Sequence, residues 1–169
     1  MDTPKILAQL LGQPNEGSLE AMQELLEENS WLDAAIDELS ATPLDQWQAE
    51  HTRLFINGYP KTACPPYGSI HRHDRMEGPI CDELRSLYQR AGLAPVREVP
   101  PDYLGTLLEF AAWLHEQKTG EARGLLDELR DRHLAGWLPD YGACLQRESR
   151  LRLYRDMGAQ LESWLSTLS

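Results

Sequence analysis

The 169-residue sequence has few of the features that announce a function at once. Its three cysteines, Cys64, Cys81 and Cys144, are an odd number with no C-x-x-C spacing. That indicates neither a disulfide framework nor a zinc knuckle, and a reducing cytosol is the simplest compartment. No apolar run approaches the roughly 18 residues that a membrane-spanning helix needs. The opening Met-Asp-Thr-Pro-Lys, followed by the short apolar stretch Ile6 to Leu11, has neither a strongly charged start nor a small-residue cleavage site. It is not read as a secretory signal. There is no Walker loop, no Gly-x-Ser-x-Gly and no H-E-x-x-H.

The scarcest commodity is positive charge. With 16 Lys and Arg against 27 Asp and Glu, the net charge is −11. A nucleic-acid binder needs a cationic footprint, and so does a protein that settles on anionic lipid. Both classes are excluded. The deficit is regional. Between Ile6 and Thr52 there are ten acids (Glu16, Glu20, Glu24, Glu27, Glu28, Asp33, Asp37, Glu38, Asp45, Glu50) and no Lys or Arg. From Arg53 onward charge nearly balances, with 15 basic and 16 acidic residues. Such a stretch is either a solvated face that maintains solubility or a surface that attracts a cationic partner. The basic cluster Arg147, Arg150, Arg152 and Arg155 is a candidate internal counterweight.

Apolar residues recur at helical spacing almost throughout. Leu19, Met22, Leu25 and Leu26 follow Ser18, a candidate N-cap. Trp31 to Leu39 makes a second short helix. Thr42-Pro43 reads as N-cap and first helical residue, opening a stripe through Leu44, Trp47, His51, Leu54 and Phe55. From 56 to 78 the period fails among Gly58, Pro60, Pro65, Pro66, Gly68 and Gly78, so a long loop is expected. Pro79 opens a helix with Ile80, Leu84, Leu87, Tyr88 and Ala91 inward and Gly92 as its stop. A loop with Pro95, Pro100 and Pro101 leads to Asp102, expected to cap the helix that buries Leu107, Phe110, Ala111 and Leu114. Three further helices are predicted: one through Leu125 and Leu129 ending near His133, one over 138–145 and one over 151–168. The five tryptophans lie at or beside helical apolar positions and read as core. The expectation is an all-α single domain over 1–169, with acidic N-terminal helices over 1–55, a breaker-rich loop over 56–78 and C-terminal helices over 79–169.

The loops hold the candidate chemistry. In Pro65-Pro66-Tyr67-Gly68-Ser69 the proline pair fixes an extended backbone and holds Tyr67 in a defined direction. This is either a wall for a bound peptide or a rigid loop whose Tyr67 covers the core. In Pro101-Asp102-Tyr103 the carboxylate can cap its own helix or meet a partner's guanidinium. His71-Arg72-His73-Asp74 suggests metal chemistry, with His51 as a third ligand, but it sits among helix breakers and no carboxylate–histidine spacing elsewhere completes a set. His133 reads as a helix-end histidine beside the negative dipole end.

The order of these pieces resembles the TorD/DmsD/NarJ family of redox-enzyme maturation chaperones, closest to the DmsD-like branch. The resemblance runs from about Glu50 to the C-terminus. It rests on Leu54-Phe55, on Pro65-Pro66-Tyr67-Gly68-Ser69, on Pro101-Asp102-Tyr103-Leu104-Gly105-Thr106-Leu107-Leu108, and on Ala111-Ala112-Trp113-Leu114. Arg132-His133-Leu134 with Trp137, and Leu153-Tyr154-Arg155, continue it. It implies an all-helical cytoplasmic chaperone with no enzymatic activity and no cofactor. Such a protein binds the twin-arginine signal peptide of a molybdenum-cofactor oxidoreductase precursor, and delays export until the cofactor is inserted and the enzyme is folded. A homodimer is among the states such a family allows. Carried over by position, the peptide-binding residues would be Leu54, Phe55, Pro65, Pro66, Tyr67, Ser69, Pro101, Asp102 and Tyr103. Tyr103 stands where the family commonly has histidine, which removes a group titrating near neutral pH. Gly58-Tyr59-Pro60 is a looser form of the family's Gly-Pro. Two other functions fit the sequence: a chaperone that binds the body of the apoenzyme rather than its leader, and a small metal-dependent hydrolase using His51, His73 and Asp74.

Overall fold

A computed structural model describes residues 3–94 and 96–168. Met1, Asp2, Pro95 and Ser169 lie outside the described residues, and with them the Asp2 charge and the turn expected at Pro95. The described chain is helical, and its one extended contact is an isolated bridge. It forms two compact units.

The first unit comprises residues 1–11, 66–139 and 163–169. Its centre is helix α7 (Leu104–Gln117), in which Leu104, Leu107, Leu108, Phe110, Ala111, Ala112 and Leu114 are all buried. A helix apolar on so much of its circumference needs cover on several sides. Helix α1 (Thr3–Leu10) supplies one side with Ile6 and Leu7, and a Lys5–Glu116 ion pair spans the seam. Helix α8 (Gly120–Glu128) packs on α7 as well, its first turn capped by Thr119 Oγ1, which accepts from Ala122 N–H at 3.1 Å. Helix α6 (Pro79–Arg90) ends as its sequence predicts. Gly92 adopts a left-handed φ of 79°, Gly92 N–H donates to Gln89 O, and Leu93 N–H donates to Tyr88 O. This paired closure satisfies two otherwise orphaned carbonyls.

The expected loop at 56–78 contains a short helix, α5 (Gly68–His73). The helix predicted to end near His133 closes as a π-helical segment, Leu129–Leu134. His133 is buried within it, and desolvation lowers its pKa. It lies in the last turn, as the sequence reading has it, and burial there favours the neutral ring.

The second unit comprises residues 12–65 and 140–162. It contains α2 (Ser18–Leu25), α3 (Asp33–Ser40), α4 (Leu44–His51) and a π-helical segment, Thr52–Ile56. Most of α9 (Leu138–Glu148) and α10 (Arg152–Thr167) also falls within it. Ser18 does not cap α2: its hydroxyl accepts from Asn15 N–H outside the helix. Helix α4 starts one residue later than expected, at Leu44 behind Pro43. Within this unit α9 and α10 touch backbone to backbone. A Cβ on Gly158 would lie 2.4 Å from Gly142 O, and one on Gly142 would lie 2.7 Å from Gly158 O. Trp47 Nε1 donates to the Tyr154 hydroxyl at 3.0 Å, and His51 and Tyr154 both flank the Phe55 ring. Trp47, Trp137 and Trp164 are core as expected, whereas Trp31 and Trp113 are only half-buried.

Candidate functional site

The two loop signatures meet within the first unit. Pro66–Gly68 and Asp102–Leu104 run antiparallel: Leu104 N–H donates to Pro66 O at 2.8 Å and Gly68 N–H donates to Asp102 O at 3.2 Å. Two non-helical segments therefore satisfy each other's backbone, as proline-rich loops must when they are held against a core. The pairing sets Tyr67 opposite Tyr103, with ring centroids 5.7 Å apart and planes inclined by 44°. Both rings are half-exposed. Burial raises both phenol pKa values, and the charge of Asp102 adds to the rise at Tyr67, so the hydroxyls keep their protons. Gly105 is what lets Tyr103 fold back over α7, because a Cβ there would lie 2.4 Å from Tyr103 Cε1.

Asp102 is the hinge pin of this arrangement. Its side chain has no exposed surface (0 %). Oδ2 accepts from Ser69 N–H at 2.8 Å, and Oδ1 accepts from the Cys81 thiol at 3.5 Å. Asp102 therefore caps α5 from a distance and makes no cap to its own helix α7, which corrects the local reading. Burial first, and then the Asp102 charge, push the Cys81 thiol up to about 12, so it stays a donor. Beside it the Tyr88 hydroxyl donates to Pro101 O at 2.7 Å. On the other side of α5, Trp137 lies against Gly68, His71 stacks on Trp137 at 5.1 Å, and Trp137 Nε1 donates to His133 O at 2.6 Å.

The nine predicted residues thus fall into two groups. Pro66, Ser69, Pro101 and Asp102 are buried and build the platform; Tyr67 and Tyr103 present it. Leu54, Phe55 and Pro65 belong to the second unit. Leu54 and Phe55 are buried in its π-helical segment, Leu54 O accepts from Cys64 N–H at 2.8 Å, and Pro65 is half-buried. The segment just after them is exposed and apolar: Ile56 is 62 % and Tyr59 is 98 % exposed. Sequence reading named Tyr59 only within Gly58-Tyr59-Pro60 and did not single out Ile56; large apolar residues among helix breakers were the available signal.

The second unit also carries the acids. Glu16, Glu20, Glu24, Glu27, Glu28, Asp33, Asp37 and Asp45 are exposed. The other two of the ten are structural. Glu50 binds the Arg53 guanidinium through both oxygens and accepts from Arg150 N–H, and Glu38 accepts from Arg152 N–H at 2.7 Å. The C-terminal arginines pair near home, Arg147 with Glu148 and Arg152 with Asp156.

The hydrolase alternative loses its geometry. His51 lies in the core of the second unit, whereas His73 and Asp74 are exposed in the first. Among the described residues no group of three or more His, Cys, Asp or Glu could hold a metal ion. Among the described residues no helix is long and apolar enough to cross a membrane. The first unit also holds a cavity of about 930 Å³, lined among others by Ala111, His115, Arg123, Arg130 and Trp164; none of the nine predicted residues lines it.

Comparison with known proteins gives a consistent set. The family model described as "Nitrate reductase delta subunit" matches residues 13–142, reaching into the acidic region where the loop motifs give no alignment. The chaperone protein YcdY of Escherichia coli K12 is 27% identical over 125 residues, covering 74% of this chain and 64% of the relative. The selenate reductase assembly chaperone protein of Thauera selenatis is 33% identical, covering 56% of this chain and 54% of the relative. The chlorate reductase assembly chaperone protein of Ideonella dechloratans is 32% identical, covering 69% of this chain and 63% of the relative. The chain thus spans between 54% and 64% of the length of these relatives. A crystal structure from Archaeoglobus fulgidus, described as a redox enzyme maturation protein, superposes with a TM-score of 0.72 at 25% identity, over 96% of this chain and 91% of that one.

Proposed function

Because the chain belongs to the nitrate reductase delta subunit family, we propose that it is a cytoplasmic maturation chaperone, not an enzyme, for a molybdenum-cofactor oxidoreductase. In this reading it binds the twin-arginine signal peptide of the precursor and delays export until the cofactor is in place and the enzyme is folded. The observation that carries the reading is the paired Tyr67–Tyr103 platform, rigid beneath and half-exposed above. Two aromatic faces held in place by a buried carboxylate lose little freedom on binding a partner. They offer apolar contact to the hydrophobic part of a leader and cation–π contact to its arginines.

The roles of the nine residues follow from their burial. Tyr67 and Tyr103 touch the peptide. Pro66, Ser69, Pro101 and Asp102 set their direction. Leu54, Phe55 and Pro65 fix the segment of the second unit that displays Ile56 and Tyr59, a separate exposed apolar surface. Asp102 does not meet an arginine directly, because both its oxygens already accept bonds in the interior. The long-range attraction for a cationic leader comes instead from the eight exposed acids, which raise the encounter rate. The complex should weaken with salt without vanishing, since the apolar contacts remain.

Calorimetry of the full chain with twin-arginine leader peptides from the same genome tests this. Binding should exceed that of a twin-lysine peptide with a scrambled apolar segment. Equal binding of the two peptides would sink leader recognition. A pull-down of precursor with its leader deleted separates recognition of the enzyme body, which would persist, from recognition of the leader, which would be lost.

A further inference from the structure

The leader-binding reading leaves one pair of reactive groups unused. Cys64 and Cys144 both lie in the second unit, and neither is in a disulfide. The backbone around Cys64 is fixed on both sides: its N–H donates to Leu54 O at 2.8 Å, and its carbonyl accepts from the Tyr141 hydroxyl at 2.9 Å. One turn along α9 from Tyr141, the Cys144 thiol reaches Ala63 O at 3.3 Å, next to Cys64 in the chain. Two independent contacts therefore hold α9 against residues 63–64 and set the Cys144 thiol beside the Cys64 backbone. The two sulfurs differ in access. Cys64 is fully buried, whereas Cys144 is partly exposed.

We propose that Cys64 and Cys144 are a peroxide-reactive thiol pair, with Cys144 as the attacking group and Cys64 as the resolving one. The hydrogen bond from the Cys64 thiol favours the Cys144 thiolate, and Arg147, three residues on, adds to the effect. The same bond raises the Cys64 pKa and keeps its proton in place until it is needed. In the first step the Cys144 thiolate attacks a hydroperoxide. An S–O bond forms, the O–O bond breaks, and the departing hydroxide takes a proton from solvent to leave as water. In the second step Cys64 sulfur attacks the sulfenic sulfur of Cys144. An S–S bond forms, the S–O bond breaks, and the Cys64 proton leaves with the hydroxyl as a second water. Two thiols are oxidised and one hydrogen peroxide is reduced. The product ties α9 to the residue directly before the Pro65–Pro66 pair.

Cys81 provides an internal control. It is fully buried, its thiol is pushed up to about 12, and its hydrogen goes to Asp102. Unlike Cys144 it is neither partly exposed nor favoured as a thiolate, so it is a poor first nucleophile toward a peroxide.

The test is peptide mapping by mass spectrometry after the full chain is treated with hydrogen peroxide, with dimedone present to trap sulfenic acid. The wild type should yield an intramolecular Cys64–Cys144 disulfide with Cys81 still reduced. Cys64→Ser should yield a dimedone adduct at Cys144. Cys144→Ser should lose thiol at least about tenfold more slowly than the wild type. Oxidation of the wild type first at Cys81, disulfides only between chains, or unchanged thiol loss in Cys144→Ser would overturn the proposal. The wild-type map needs no variant, so it decides the matter even if a serine variant does not fold.

Discussion

Asp102 and the acids between Glu16 and Asp45 carry the same formal charge and sit in opposite surroundings. Asp102, in the first unit, is wholly buried and holds the Ser69 amide and the Cys81 thiol. The eight acids of the second unit stand in solvent on a stretch without a single Lys or Arg. A buried, hydrogen-bonded carboxylate has few directions left in which to recognise a ligand. Exposed carboxylates recognise by field, loosely and at range. The comparison assigns the two halves of a recognition event to different places. The motif acid shapes the aromatic platform, and the surface acids attract a cation to the protein.

The sharpest way to break this division is to remove the buried acid. Asp102→Ala leaves the Ser69 amide without an acceptor in the interior and should cost about 3 kcal/mol of stability in urea denaturation. A loss below about 1 kcal/mol would mean that the carboxylate is not structural. Next comes Gly158→Ala, which tests the second unit's own packing. The new methyl would meet the Gly142 carbonyl and force α9 and α10 apart, at a cost of about 2 kcal/mol. Tyr67→Ala should behave differently from both: a half-exposed ring costs about 1 kcal/mol of stability, while leader affinity falls about tenfold or more. The smallest effect on stability belongs to the triple replacement of Glu20, Glu24 and Glu27 by Lys. Its unfolding free energy should stay within about 0.5 kcal/mol. Its association rate with a cationic leader, followed by stopped flow, should fall, and the rate should become less dependent on salt.

Much of this was legible in the sequence because local rules were obeyed. The helical period located α6 and α7, and Gly92 marked the end of α6 where the left-handed turn occurs. Other features were hidden by tertiary effects. Helix α1 is eight residues long with an apolar run too short to show a period, and it holds its place by packing on α7. Helix α5 opens after two prolines, and its amide cap comes from Asp102, which is far away in sequence. That same bond explains why the local N-cap rule misassigned Asp102: a carboxylate can cap whichever helix start lies nearest in space. The charge asymmetry was visible from counting alone, and exposure then separated the eight exposed acids from Glu38 and Glu50. The Cys64–Cys144 pairing was invisible, since nothing in the spacing of three scattered cysteines brings α9 to residue 64.

The most direct measurement is a chemical-shift map of the 15N-labelled full chain titrated with a twin-arginine leader peptide. The division of labour predicts the largest changes at Tyr67, Tyr103 and their neighbours. Smaller, salt-sensitive changes should appear along the exposed acids from Glu16 to Asp45. Changes confined to the cavity around His115, Arg123 and Arg130, with Tyr67 and Tyr103 unmoved, would contradict it.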